Sequence, residues 1–483
     1  MNLFFQIIPL GVMNIDTDLT LFNDHTNKLQ FFTATDILIL VFWIIVAIVV
    51  SLYIKKKNNE KEHYNMYMRN LYFKLFFALA FGFYYVFAIK GGDTIAFWDA
   101  SMRLTNLFYF KPEFWWLEFP QYRGDSQYVN YYNNITGYPP GWIAREKEGY
   151  FVSKIFSILN PLTASSYFAN TVVSALLSAI SGFKLYDFIV QNTTIDSKKL
   201  AIFFLFIPSL AFWCTGVSKD SVVMICLYFG IPILFNLING KSKNWFISII
   251  YLFIISFLLI NIRSFMLIVL VIPVIFAMNV KIVKYLFKNK YAQRTTRIFI
   301  FFVGFTLMFL YLGSSGQSYL KEAEVTQKDF LENKAYTGKK YDIGALDYST
   351  TGLIRALPLS VFTGIFRPFL WEALSPGLIL NGLESVILIY LLLKFLWNKP
   401  RKRFARIRDS EILTFSLYLV IIMAFMTGFT SIIFGILVRL RAPLLPFIIL
   451  LLSIEPEEDV KEDLIDGNSD TLLNKDAAPP TYS

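Results

Sequence analysis

Residues 245–280, WFISIIYLFIISFLLINIRSFMLIVLVIPVIFAMNV, decide the fold class. A helix needs roughly 20 apolar residues to cross the hydrocarbon core of a bilayer. This stretch holds two such lengths, and Arg263, between them, is its one charged residue. Lys241 and Lys243 precede it; Lys281, Lys284, Lys288, Lys290, Arg294 and Arg297 follow it with no acidic residue among them. Backbone inside lipid must satisfy its own hydrogen bonds, so the block reads as a helical hairpin. A transmembrane barrel needs short alternating segments, and this stretch does not alternate.

Blocks of the same kind recur along the chain. Reading outward gives spans at 36–54, 71–89, 167–185, 200–214, 221–238, 245–262, 265–280, 298–312, 378–396, 412–429 and 432–452. The expected fold is therefore all-α, a polytopic transmembrane helical bundle of about eleven spans. Composition agrees: of 483 residues 55% are hydrophobic and 17% charged, with a mean hydropathy of +0.51. The net charge of +10 does not indicate nucleic acid. The basic residues lie in short loops between apolar blocks, as the positive-inside rule produces. Cys214 and Cys226 sit in or beside apolar blocks and read as packing residues. No basic stretch precedes the first apolar segment, so a cleaved signal peptide is not expected.

Five basic clusters set the topology: Lys55 to Lys57, Lys198 with Lys199, Lys241 with Lys243, the 281–297 group, and Lys399 with Arg401, Lys402, Arg403, Arg406 and Arg408. Placing all five in the cytoplasm puts the N-terminus outside and the C-terminus inside. Lys74, near the inner end of its span, is expected to snorkel. The chain then divides into an outer N-terminal segment (1–35), two spans (36–90), a large outer loop of helical or irregular structure (91–160), six spans (161–312), a second outer loop or re-entrant segment (313–377), three spans (378–454) and a disordered tail (455–483).

Ionisable residues beside or within apolar blocks are costly and mark candidate sites. Asp93 follows the second span in Gly91-Gly92-Asp93-Thr94, and Asp99 comes shortly after. Lys219 and Asp220 occupy one outer turn, and Arg263 the next. Arg355, Arg367 and Glu372 lie in a semi-apolar outer segment, and Arg439 and Arg441 in the outer half of the last span. Each has an ordinary reading: Asp99 and Arg103, four apart, form a pair on a helix, and Arg439 snorkels. Their convergence on one membrane face suits a phosphate leaving group. A carboxylate takes a proton from an acceptor hydroxyl, while guanidinium groups hold the phosphate. The histidines, His25 and His63, are both outside the apolar blocks, so a carboxylate serves as any base. Residues 108–142 are rich in aromatic rings, Trp115 and Trp116 among them. Such rings suit sugar faces and equally suit an aromatic belt at the membrane interface.

These residues resemble the GT-C superfamily of polytopic glycosyltransferases, which use polyprenyl-phosphate-linked sugars. Gly92-Asp93-Thr94 with Ala96 and Ala100 looks like that family's acidic motif. Residues 208–213 with Gly216, Lys219 and Asp220 are similar to a segment of bacterial membrane proteins regarded as glycosyltransferase-like. Phe366-Arg367-Pro368-Phe369 with Trp371, Glu372 and Glu384 looks like another piece of those proteins. Arg439-Leu440-Arg441-Ala442-Pro443, with Pro446 and Phe447, is similar to the pattern in their last span. The acidic motif here follows the second span rather than the first, and Thr94 stands where a second acid is often found. The resemblance implies Asp93 as the catalytic carboxylate and Arg439 and Arg441, with Arg263 and Lys219, as the cations that hold the donor phosphate. The reading of isolated charges adds Asp99 as a second catalytic carboxylate and Asp220, Arg367 and Glu372 as substrate-binding residues, and the aromatic loop adds Trp115 and Trp116. The resemblance also implies a multi-pass protein of a bacterial inner membrane that moves a sugar from a lipid-linked donor to a glycan, lipid or protein acceptor, and leaves a divalent cation open. A polymerase or ligase using a lipid-diphosphate glycan, a transporter, and a non-catalytic subunit of an envelope machine are the alternatives.

Overall fold

The computed structural model describes residues 31–118, 131–289, 291–293, 295–300, 303, 324–325, 327–328, 332, 340–341, 349–373 and 375–456. Among them the chain is helical with no strand, and Lys340 and Ile433 form an isolated bridge. Nine helical stretches among the described residues are long and apolar enough to cross a membrane: Ala34–Lys57, Glu62–Ile89, Tyr167–Asn192, Lys219–Ile238, Trp245–Arg263, Phe265–Leu286, Gly377–Trp397, Glu411–Thr430 and Phe434–Leu452. This is an all-α, multi-pass membrane architecture.

Two expected spans have no counterpart in that set. Segment 200–214 is divided into helices Ser197–Leu205 and Pro208–Trp213. Pro208 lacks an N–H and pushes the residue before it out of the helical region; Ile207 is accordingly extended (φ −85°, ψ 117°). Segment 298–312 lies largely outside the described residues, as do 1–30 and 457–483, which hold most of the expected N-terminal segment and tail.

The chain forms two compact units, Met1–Val271 with Val438–Leu445, and Ile272–Leu437 with Pro446–Ser483. The first contains α1 (Ala34–Lys57), α2 (Tyr67–Phe83), α3 (Asp93–Phe110), α4 (Pro112–Glu118), α5 (Gly141–Arg145), α6 (Lys147–Thr163), α7 (Tyr167–Asn192), α8 (Ser197–Leu205), α9 (Pro208–Trp213), α10 (Lys219–Ile238) and α11 (Trp245–Arg263). Helix α1 begins at a reciprocal Thr33–Asp36 capping box and ends on Lys55, Lys56 and Lys57, where cations favour the C-terminal dipole. Helix α7 packs on α1, α2 and α10. Lys74 does not snorkel. It is 2% exposed, because helical structure begins at Glu62 and places it in the body of the span.

A buried polar lattice joins α3, α6 and α7. Asn160 Nδ2 donates to Ser101 Oγ and Thr105 Oγ1, both at 3.0 Å. Asn170 Nδ2 donates to Asn160 Oδ1 at 2.7 Å, and Thr163 Oγ1 donates to Asn170 Oδ1 at 3.0 Å. Orphaning one member of such a network costs roughly 1–3 kcal/mol, so α3 is held as a fixed strut beneath its N-terminus.

The second unit contains α13 (Thr350–Phe366), α14 (Pro376–Trp397), α15 (Pro400–Asp409) and α16 (Glu411–Thr430). The helix Phe265–Leu286 (α12) contributes its later residues to it. Segment 350–366, expected within a loop or re-entrant segment, is an apolar helix packed on α16. The contact is backbone to backbone. A Cβ on Gly364 would lie 2.1 Å from the Ala424 carbonyl oxygen, and one on Gly428 would lie 2.0 Å from that of Ser360. Small residues four apart on each helix, Ser360 with Gly364 and Ala424 with Gly428, permit this approach.

Candidate functional site

The site of interest lies in the first unit, where the chain leaves α2. The helix widens into a π turn at Tyr84–Ile89 and then reverses through Lys90 (φ 55°), Gly91 and Gly92 (φ 90°). Gly92 is required twice over. Its φ disfavours any residue with a side chain, and a Cβ there would stand 2.9 Å from the Tyr85 ring. This reversal delivers Asp93 as the first residue of α3, where the helix N-terminus favours a carboxylate.

Arg439, distant by 346 residues, donates from Nη1 to Asp93 Oδ2 at 3.1 Å. Its Nη2 donates to the Tyr85 hydroxyl. The guanidinium lies 4.9 Å from the centre of the Trp213 ring and 5.8 Å from that of Tyr85, within cation–π range. Arg439 is therefore a cation walled by aromatic rings, with about a quarter of its side chain (26%) exposed. Asp93 remains 55% exposed at its side chain.

The other predicted residues of this unit gather as pairs. The Ser218 side chain caps α10, accepting from the Ser221 N–H, and places Lys219 and Asp220 in the first turn. Gly216 makes room for the turn, since a Cβ would overlap the Phe81 ring. Asp220 bonds Arg263 Nη2 at 2.8 Å. The pair joins an acidic N-terminal turn to a basic C-terminal one, both favoured by the helix dipoles. Asp220 also acts electrostatically on Tyr85 and Arg439. Lys219 donates to Glu146 and, at 3.3 Å, to Glu148 Oε2. Its ammonium lies 5.9 Å from the centre of the Phe97 ring, one turn beyond Asp93 on α3. Arg441, two residues after Arg439, is completely buried.

The remaining predicted residues fall elsewhere. Asp99 pairs with Arg103 at 3.1 Å, one turn along its own helix. The Arg103 side chain in turn fills the space above Gly137. Asp99 is buried and its carboxylate is committed to that pair. Trp115 is buried, packed edge-on against Phe108 and Trp116, which are both exposed. Both follow the far end of α3, whose 18 residues put them roughly 27 Å of helix from Asp93. Arg367 and Glu372 belong to the second unit and to each other. Arg367 Nε and Nη2 donate to Glu372 Oε1 at 3.1 and 2.5 Å. Glu372 Oε2 also accepts from the Phe369 N–H at 2.9 Å. The guanidinium lies over Tyr341 and Phe434 at 4.6 and 5.4 Å. Burial, opposed by the field of Arg367 and aided to a lesser degree by that of Glu372, raises the Tyr341 hydroxyl well above its usual range. It stays protonated and donates to the Ser431 carbonyl.

Four contributors escaped sequence reasoning as site residues. Glu146 and Glu148 straddle Lys147 in a mixed charge run that reads as solvated surface. Tyr85 and Trp213 are aromatic residues among many in apolar segments. The available signal was the glycine pair after Tyr85, which marks a place where backbone passes close to a ring. Among the described residues no group of three or more His, Cys, Asp or Glu side chains is placed to hold a metal ion. His63 lies apart from the site, 2.7 Å from Asp187, and His25 lies outside the described residues. No family model matches the chain, no curated protein matches it, and no solved structure matches it.

Proposed function

We propose that this protein is a membrane glycosyltransferase that moves a sugar from a polyprenyl-phosphate-linked donor to an acceptor hydroxyl on the extracytoplasmic face of a bacterial inner membrane, in envelope or exopolysaccharide assembly. The reading includes about eleven spans, an outer N-terminus and a cytoplasmic C-terminus, and it rests in part on the resemblance to the GT-C superfamily. The observation that supports it most is the half-exposed Asp93 carboxylate lying 3.1 Å from an arginine walled by Tyr85 and Trp213.

In this reading Asp93 removes the proton of the acceptor hydroxyl as its oxygen bonds to the anomeric carbon. The bond from that carbon to the phosphate oxygen breaks, and the polyprenyl phosphate departs with the electron pair. Arg439 holds the phosphate, and Arg263 and Lys219 are the nearby cations of the same unit. Charge developing on the leaving group is stabilised best by such fixed cations in a water-poor site. Each of these cations already faces a carboxylate, so the donor phosphate enters by exchange. When it takes the Arg439 guanidinium, Asp93 is released as a base, which couples donor arrival to base activation.

Asp93→Asn tests the reading. Transfer from a polyprenyl-phosphate sugar to acceptor should fall by about 10²–10⁴-fold, the usual worth of a general base, with unchanged yield and gel-filtration profile. Full activity in the variant removes Asp93 from the chemistry. The pairwise neutralisation of the cations also favours a second reading, a non-catalytic subunit whose ion pairs only tie helices together. In that case Asp93→Asn alters melting temperature, and the wild-type protein neither binds nor turns over the donor.

A further inference from the structure

The second unit carries a surface that the proposed chemistry does not use. Span Gly377–Trp397 ends on Trp397, which is 93% exposed. Lys399 adopts a left-handed conformation (φ 47°) and Pro400 starts α15, so the chain turns sharply from the span into a short helix. After Asp409 the chain is extended at Ser410, which caps the next span, α16. Helix α15 thus runs between the ends of two spans, with sequence PRKRFARIRD.

Its two sides differ. Arg403 and Ile407, one turn apart, are buried, and the Arg403 guanidinium lies 5.6 Å from the Phe395 ring centre. Arg401, Lys402, Phe404 and Arg408 are exposed. The other basic cluster of this unit arrives at the same helix end. Lys284 Nζ donates to the Asp409 carbonyl at 2.6 Å, and Arg297 Nη1 donates to the Asp409 carboxylate at 3.1 Å. At and just beyond the end of α12, Lys281, Lys284, Tyr285 and Lys288 are exposed together with the apolar Ile282, Leu286 and Phe287, Tyr285 at 88%. Strongly exposed aromatic rings beside cations at the ends of apolar spans are the pattern of an interfacial anchor.

We infer that α15 and the end of α12 form a binding surface for the headgroups of anionic phospholipids. The chemistry fits that occupant in two ways. The cations are arranged across a short helix lying between span ends, where headgroup phosphates are found. Trp397, Tyr285 and Phe404 supply apolar and amphipathic side chains that sit among headgroups and upper acyl chains. Clusters of four to eight Lys or Arg directly after a span attract anionic lipid, each cation contributing about a fivefold preference.

The test uses the full chain in nanodiscs of phosphatidylcholine with one-fifth phosphatidylglycerol, followed by native mass spectrometry of the retained lipid. Wild-type protein should retain phosphatidylglycerol over phosphatidylcholine at about tenfold or more above the bulk ratio. The triple variant R401Q/K402Q/R408Q should lose most of that preference, and the triple lysine-for-arginine and arginine-for-lysine exchange R401K/K402R/R408K should keep it. A preference equal in wild type and glutamine variant, with both monodisperse on gel filtration, overturns the inference. So does a preference abolished by millimolar inorganic phosphate, which would make this a site for free anions rather than for lipid.

Discussion

The two arginine–carboxylate pairs of Arg439 and Arg367 read alike in the sequence, as isolated charges among apolar residues. They differ in the molecule. Arg367 and Glu372 are five residues apart, and their pair closes on itself: two guanidinium nitrogens reach the carboxylate, a backbone N–H adds a further bond, and two rings lie against the arginine. The Glu372 side chain is only 16% exposed. Arg439 reaches Asp93 across 346 residues with a single nitrogen, and that carboxylate is more than half open. A short-range pair can be complete before the rest of the fold is built. A long-range pair with a spare, open carboxylate oxygen keeps a contact available for something else.

Substitutions sharpen or break this contrast. The largest expected effect is the loss of transfer in Asp93→Asn described above, set against Glu372→Gln, which should leave the transfer chemistry itself intact in folded protein. Second is Gly428→Ala, which drives a methyl into the Ser360 carbonyl. Overpacking of this kind costs about 1–3 kcal/mol or more. A clear drop in melting temperature in detergent is expected, and an unchanged value would mean that α13 and α16 separate readily. Third, Glu372→Gln should cost about 2 kcal/mol, less than a fully buried pair because some solvent reaches it. A neutral outcome by thermal unfolding would put Arg367 and Glu372 on the same footing as Asp93. The smallest effect is also the most discriminating. Asp93→Asn should bind a polyprenyl phosphate lacking sugar about fivefold more tightly, since Arg439 then has no competing anion, a gain on the scale of one exposed ion pair. Weaker binding by tryptophan fluorescence titration would show that Asp93 helps to hold the phosphate and does not compete for it.

Much of this architecture was legible because hydrophobic length is a local property. Nine of the expected spans coincide with helices. That Arg439 finds Asp93 and Arg263 finds Asp220 accords with the tendency of charges costly in lipid to seek one another. Three things were not legible. The break at Ile207 depends on one proline whose effect competes with an otherwise unbroken apolar run. The commitment of Asp99 to Arg103 and of Trp115 to Phe108 depends on helix facing, and neither residue type reveals it. The acids Glu146 and Glu148 flank Lys147 in the sequence, and nothing local marks them as site residues. Their partner is a different lysine, 73 and 71 residues on.

The turn at Gly92 carries a consequence of its own. Tyr85 is at once the wall that forbids a side chain on Gly92 and the hydroxyl that steadies Arg439, while Arg439 holds Asp93, the very next residue after Gly92. The four residues close a circuit only a few bonds around. Slack introduced at any point is felt at every other, so their substitutions will not combine as independent contributions.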